Sequence, residues 1–438
     1  MKSWIGKEFK NKVAILSGAR TPFAKAGANL KKTSAVHLGV TALKEALARA
    51  EASPSLLDEV VLGNAGTPAD AANISRVIAL RAQVPEATPA YTVHRNCASA
   101  LEAIAQGCLK ISTGICDVMA VGGTESMSQM PLMYGPEMTE FFAQLAAAKS
   151  STQKLQVLTH FHLRFLKPKI ALLQGLTDPI SGLNMGETAE ILARDFHITR
   201  EAQDAFAVES HRRAVAAEKE HFFQEERCAV MLEPDFSTPL ETDIGPREGQ
   251  SLEQLARLRP FFDKSNGTIT AGNACPVTDG AAVLVLMNAE RAKAEGRPIL
   301  GTIEGYCFTG CEPKRMGMGP VYSTHSLLRD LQMPLKEIGL VELNEAFSSQ
   351  VMANQKAFES KEYAKTHLGS DQPLGELSSD KLNIHGGAVA LGHPVGATGA
   401  RLVLTNLFAL RRRKQQFGLS TLCIGGGQGG AMVIQNVA

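Results

Sequence analysis

NIHGGAVALGHPVGATGAR, residues 383–401, is the stretch on which the reading of this chain turns. Two histidines, His385 and His393, stand among glycines and alanines too small to fill a core, so backbone and imidazole are brought close to something else, namely a substrate. Gly386, Gly387, Gly392, Gly396 and Gly399 permit sharp reversals, and residues 397–410 read as a helix, which places His393 just before a helix start. A second glycine cluster, CIGGGQGG, occupies residues 423–430. The stretch predicts one half of an active site, and the other half is sought upstream.

Working back from it, strands at 13–16, 60–63 and 90–93 alternate with helices at 33–49 and 73–82, the pattern of an α/β sheet. The last of these strands ends at HRNCASALEAIAQGCLKIS, where Cys97 precedes an alanine-rich helix over 98–112. A thiol at a helix N-terminus feels unpaired N–H groups, which lowers its pKa and favours the thiolate. A buried small hydrophobe is the other reading of the same cysteine. DVMAVGG (117–123) and GLSTLCIGG (418–426) are both buried-strand patterns closed by glycines. Each follows a helix that begins beside a reactive-looking residue, so the chain reads as a duplicated unit whose strand and helix tips bring Cys97, His393 and Cys423 into one cleft.

Between the halves, residues 141–149 and 151–167 read as two helices, the second with Leu155, Leu158, Phe161 and Phe165 on one face and Lys154, His160, Arg164 and Lys167 elsewhere. This inserted helical subdomain either packs its apolar face on the main body or docks on a membrane surface or partner. Residues 185–220 read as helical, with Thr199 and Gln203 marking an N-cap and His211 as a solvated helix residue. VELNEAFS (341–348) puts Asn344 and Glu345 at the end of a short strand.

The whole chain sets bounds. Its 438 residues, 44% hydrophobic and 20% charged, suit a soluble globular enzyme of two or three domains. A formal net charge of +1 argues against a general nucleic-acid binder. No apolar run reaches the ~18 residues of a membrane span. The N-terminus enters a strand at Val13 without a signal pattern, so a cytoplasmic location is expected. The 8 cysteines form no CxxC pair and no zinc-ligand grouping, Cys307 and Cys311 included, so neither a metal nor disulfides are expected.

Taken together, NCASA (96–100), GGTESMS (122–128), NEAF (344–347), GHP (392–394) and CIGGGQG (423–429) resemble, in order, the active-site blocks of the thiolase family. The resemblance spans nearly the whole chain. It implies a five-layered αβαβα fold of two duplicated halves with an inserted helical loop domain: 1–129 with 184–288 as the N-terminal half, 130–183 as the insert, and 289–438 as the C-terminal half. It further implies an acetyl-CoA acyltransferase with CoA as co-substrate and no permanently bound cofactor. Cys97 is then the nucleophile, His393 its base and Cys423 the second acid/base, while His393 with a water held by Asn344 forms one oxyanion hole and the N–H groups of Cys97 and Gly425 form the other. Arg247 is implied near the CoA nucleotide, Ala271 and Cys275 along pantetheine, and Met185, Met316 and Phe347 around the thioester. His385 has a structural reading instead.

Within the family, the insert and GLNMGETAE (182–190) resemble the β-subunit type of the fatty-acid oxidation trifunctional complex, whereas TESMSQMP (124–131) and CIGGGQGG resemble acetoacetyl-CoA thiolases. Asn344 stands where the first type commonly has histidine, Cys275 where many relatives have serine, and Asn184 where many short-chain enzymes have histidine. The expected activity is 3-ketoacyl-CoA cleavage in β-oxidation, with acetoacetyl-CoA cleavage as the alternative. The implied partners are acyl-CoA substrates, a second copy or a dimer of dimers, and a hydratase/dehydrogenase α-subunit, with peripheral membrane contact through the insert. A ketoacyl synthase would use two histidines in place of His393 and Cys423, and a lipid carrier of the same fold would lack the reactive groups.

Overall fold

The computed structural model describes residues 2–437. Strand β1 (Val13–Arg20) is buried along its whole length. Helix α1 (Ala35–Arg49) follows, capped by Ser34, whose hydroxyl accepts the His37 N–H. Next come β2 (Glu59–Gly63), α2 (Ile74–Arg81), β3 (Ala90–Val93), α3 (Ser99–Ser112) and β4 (Val118–Ser126). The insert carries α4 (Pro136–Ala147) and α5 (Ser151–Thr159), and the chain returns through α6 (Met185–Asp195), α7 (Arg200–Lys219) and β5 (Thr278–Asn288). The remainder is β6 (Gly301–Gly310), α8 (Gly319–Leu331), β7 (Leu340–Leu343), α9 (Ser348–Glu359), α10 (Thr398–Arg413), β8 (Phe417–Ile424) and β9 (Gln428–Asn436).

The main strands run in the order β7-β8-β9-β6-β1-β5-β4-β2-β3. Two half-sheets meet where β6 pairs with β1 only at Gly301–Ile15 and Thr302–Ala14. In the first half parallel β3, β2 and β4 give way to antiparallel β5 and β1, and in the second parallel β7 and β8 give way to antiparallel β9 and β6. Both halves thus repeat one scheme. Helices α3 and α10 share a core between the half-sheets, with Leu101, Ile104, Leu402 and Leu407 packed among Val121, Leu284 and Leu422. Helices α1 and α2 cover the outer face of the first half-sheet, and α8 and α9 that of the second, which makes five layers. Because successive strand residues point to opposite faces, Ala282, Leu284 and Leu286 of β5 enter the central core while Val283, Val285 and Met287 enter the outer one.

A helix with layers on all sides has no solvent face. From Thr398 through Leu410, α10 is buried without interruption, and Gly399 lets it cross α3 closely, since a Cβ there would lie 2.5 Å from the Leu101 nitrogen. Its one internal charge, Arg401, is fully buried and paired with Glu342 of β7 at 2.7 Å.

Two segments depart from the sequence reading. The helix expected over 151–167 stops at Thr159. The chain turns at His160 and swings Phe161 and Phe165 back towards Phe141, with ring centroids 5.3 Å and 6.4 Å away. A straight helix would carry that aromatic area off with Leu155 and Leu158, which are instead exposed. His211, expected in solvent, is buried because the loop carrying Arg247 covers that face of α7, and the Arg247 N–H donates to its Nδ1 at 3.2 Å. Burial, followed by the nearby Arg247 charge, lowers its pKa to about 4. Helices α6 and α7 both rest against α9, and Trp4–Ile5 adds an antiparallel pair to β6, so elements early in the chain also pack on the second half.

Candidate active site

Cys97 lies in the turn that enters α3. Asn96 adopts the left-handed conformation (φ 45°), and its Nδ2 donates to the carbonyl of Gly425 at 2.8 Å, tying this turn to the one after β8. The backbone N–H groups of Gly425 and of Cys97 itself favour the thiolate. Burial nonetheless pushes the thiol above its ordinary pKa, with those two donors pulling the other way. The expectation of a lowered pKa considered only the local helix start. The direction is reversed because elements of the other half close over the half-buried sulfur. A half-buried thiol held above its ordinary pKa needs a base to ionise.

The candidate base is His393. Its backbone N–H donates to Thr278 Oγ1 at 3.1 Å, and Nδ1 lies 2.6 Å from Thr398 Oγ1 in the first turn of α10. The other ring nitrogen, Nε2, is buried without a hydrogen-bond partner. Burial, then Arg401, lowers the imidazole pKa to about 3, so the ring is neutral at rest. Gly392 before it has φ 106°, and a side chain there would strike Thr278, so both backbone conformation and space demand glycine.

Asn344 follows β7 with its N–H donated to the Thr421 carbonyl at 3.0 Å, while both polar atoms of its side chain are buried and unpartnered. Its neighbour Glu345 does something different. It accepts from Ser210 Oγ at 2.7 Å, Asn383 Nδ2 at 2.9 Å and the Val389 N–H at 3.1 Å, gripping the segment that leads to His393. Cys423, near the end of β8, is raised well above the ordinary thiol pKa by burial and then by Cys97, Cys275 and Cys311. Cys275 is pushed up to about 12 by burial and then by Cys97. Three thiols, Cys97, Cys275 and Cys423, therefore share one site.

Met316, Phe347 and Cys423 form a small apolar cluster with Met185 and Cys275 at its margin. Loop residues 273–275 run alongside 346–348 and fix that margin, with the Cys275 N–H donating to the Ala346 carbonyl at 3.0 Å. Ala271 and Arg247 are exposed and outside this cluster. His385 stacks on Phe222 with centroids 3.6 Å apart, a packing role. Among the described residues no three His, Cys, Asp or Glu side chains come together as a metal site.

Sequence reasoning missed Thr278, Thr398 and Glu125. Glu125 is 1% exposed and accepts four donors: Asn64 Nδ2 and the N–H groups of Ala65, Gly66 and Gly396. The one available signal was Thr398, five residues after His393 at the start of a helix.

Residues 13–290 match the thiolase N-terminal domain family, and residues 297–436 match the thiolase C-terminal domain family. The chain is 38% identical over 425 residues to a 3-ketoacyl-CoA thiolase of Aeromonas salmonicida (strain A449), covering 97% of each chain. It is 36% identical over 426 residues to a 3-ketoacyl-CoA thiolase of Yersinia enterocolitica, again covering 97% of each. Among solved structures, it aligns with the acetyl-CoA acetyltransferase of Bacillus anthracis at TM-score 0.85 and 34% identity, over 98% of this chain and 100% of that one. It also aligns with human mitochondrial 3-ketoacyl-CoA thiolase in complex with CoA at TM-score 0.84 and 33% identity, over 98% of both. With both family domains matched in order across nearly its full length, this chain belongs to the thiolase family.

Proposed function

We propose that the protein is a 3-ketoacyl-CoA thiolase of fatty-acid β-oxidation, an acetyl-CoA C-acyltransferase. The observation that carries the reading is a half-buried thiol, Cys97, at the start of one central helix and a neutral imidazole, His393, at the start of the other, whose Nε2 has no partner. In the first step Nε2 takes the Sγ proton and the thiolate attacks the 3-keto carbon. The C2–C3 bond breaks, its electron pair leaves as the acetyl-CoA enolate, and an acyl thioester remains on Cys97. Cys423 protonates the enolate carbon. Its thiolate then deprotonates CoA, whose sulfur attacks the thioester and releases the shortened acyl-CoA, and Cys97 recovers its proton from His393.

The N–H groups of Cys97 and Gly425 form one oxyanion site, and His393 with a water held by the Asn344 amide forms the other. Met185, Met316 and Phe347 line the thioester with Cys275 beside pantetheine. Ala271, at the surface, also lies along pantetheine, and Arg247, likewise at the surface, serves the nucleotide. The division into 1–129 with 184–288, 130–183 and 289–438 follows the two half-sheets and the insert.

The finer reading joins this chain to an α-subunit and places it on a membrane surface in the cytoplasm as a homodimer or dimer of dimers. It is supported by the insert, where Leu132, Leu155, Leu163 and Ile180 are all exposed beside Lys154, Arg164 and Lys167. No described helix is long and apolar enough to cross a membrane.

The test is CoA-dependent cleavage of acetoacetyl-CoA and 3-ketohexadecanoyl-CoA, with Cys97→Ala as control. Turnover of the long substrate that is lost in the variant supports the proposal. Turnover of only the four-carbon substrate makes the protein an acetoacetyl-CoA thiolase, and turnover of neither returns it to a carrier role.

A further inference from the structure

We infer that Thr398 is a positioning residue that fixes the tautomer of His393, holding the ring proton on Nδ1 and leaving the lone pair on Nε2. Thr398 Oγ1 lies 2.9 Å from the Pro394 carbonyl and 2.6 Å from His393 Nδ1. The Pro394 carbonyl, which also accepts the Ala397 and Thr398 N–H groups, is placed to take the hydroxyl proton, and a hydroxyl that donates there meets Nδ1 as acceptor. Nδ1 must then carry hydrogen. The neutral ring has one N–H, so the unpartnered Nε2 bears the lone pair.

Nothing need move for this to hold. Thr398 is the first residue of α10 and fully buried, and its own N–H also donates to Pro394 at 3.0 Å, so the hydroxyl is locked by the helix start. When Nε2 takes a proton from Cys97, the Nδ1–H to Oγ1 bond is unchanged. The base therefore works without reorganisation at its far side. With the opposite tautomer, Nε2 would present a hydrogen to the thiol and could accept nothing.

The inference rests on the reading of His393 as the base of Cys97. The charged and titratable groups around the ring are Arg401 on α10, paired with Glu342 of β7, Glu125 of β4 through Gly396, and Asp279 of β5 beside Thr278, with the thiol of Cys97 as the group the base is read to serve. Substitutions at Thr398 leave all of these in place.

The experiment uses the full chain, Thr398→Val and Thr398→Ser. Imidazole ¹⁵N spectra of the wild type, with the His393 signal assigned by its loss in His393→Asn, are expected to show Nδ1 protonated and Nε2 bare. Alkylation of Cys97 by iodoacetamide is followed against pH. Thr398→Val is expected to slow it at neutral pH by about 10–100-fold and to move the profile towards that of a thiol without a base, while Thr398→Ser recovers most of the loss. A wild-type spectrum with the proton on Nε2 overturns the inference, and that spectrum decides alone if Thr398→Val fails to fold. If His393→Asn slows alkylation and Thr398→Val does not, the positioning role fails while the base survives. If His393→Asn alkylates like wild type, the base assignment itself fails.

Discussion

Replacing Glu125 with glutamine should destabilise this protein more than the loss of one charge suggests. Oε1 accepts Asn64 Nδ2 and the Gly66 N–H, both at 3.0 Å, and Oε2 accepts the N–H groups of Ala65 at 2.9 Å and Gly396 at 3.0 Å. Because each oxygen serves two donors, either orientation of a glutamine amide turns an NH₂ towards two of them. Each buried donor left without an acceptor costs about 1–3 kcal/mol, so Glu125→Gln should lose about 2–6 kcal/mol. Burial pushes the carboxyl up to about 7 while its four donors pull it down. The comparison therefore belongs at pH 8, where the wild-type group is a carboxylate.

Urea unfolding followed by far-UV circular dichroism and by the fluorescence of Trp4, the single tryptophan, measures this loss. Activity reports a second consequence. Gly396 is three residues after His393, and freeing its N–H loosens the turn that places the imidazole, so kcat should fall by about 10–100-fold. Asn64→Ala removes one donor while leaving both oxygens and should cost less than Glu125→Gln. A Glu125→Gln variant within about 0.5 kcal/mol of wild type would refute the donor count, since even one orphaned N–H exceeds that.

Asn344→Ala should behave oppositely, since its amide is buried without partners: stability at or above wild type in urea, with kcat lower by about 10²–10³-fold. His385, whose pKa is lowered to about 4 by burial and then by Arg413 and Arg412, stabilises the fold fully above the unfolded value of 6.5. That contribution is lost as pH falls from 6.5 towards 4, by about 2 kcal/mol at pH 5, so His385→Phe should flatten the acid limb of stability measured by urea melts between pH 7 and pH 5. Replacing Lys154, Arg164 and Lys167 together with glutamate should abolish co-sedimentation with anionic vesicles while leaving acetoacetyl-CoA cleavage intact, and unchanged sedimentation would count against membrane contact through the insert.

What was legible in the sequence was whatever a local pattern encodes. The strands at 13–16, 60–63 and 90–93, the Thr199 cap and the position of His393 before α10 all follow from periodicity and small residues, and the structure places them so. What was not legible depends on a second surface. The 151–167 stretch contains no breaker, yet α5 ends where Phe161 can reach Phe141, a contact that helical spacing does not display. His211 reads as solvated on its helix until a loop some 36 residues on covers it. Cys97 reads as acidified by its helix until the other half partly covers it. Glu125 looks like one acid in a strand, because all its partners are separated from it by about 60 residues or more.

The duplication explains why a threonine is found behind the histidine. Cys97 and His393 stand before α3 and α10, the two helices of the central layer, and each helix opens on a hydroxyl residue. Ser99 donates to the Asn96 carbonyl at 2.7 Å and accepts the Arg95 N–H at 2.9 Å. Thr398 donates to the Pro394 carbonyl and meets His393 Nδ1. In α3 the direction of both bonds is beyond dispute, since a backbone N–H can only donate and a carbonyl can only accept. The same device at α10 exchanges the incoming backbone N–H for an imidazole N–H. One helix start thereby holds a backbone turn under a nucleophile, and its counterpart holds a base with its lone pair turned away from the helix. Ser99→Ala should therefore disturb the turn around Cys97 without altering the tautomer of His393, whereas Thr398→Val should do the reverse, and ¹⁵N spectra of the two variants separate the cases.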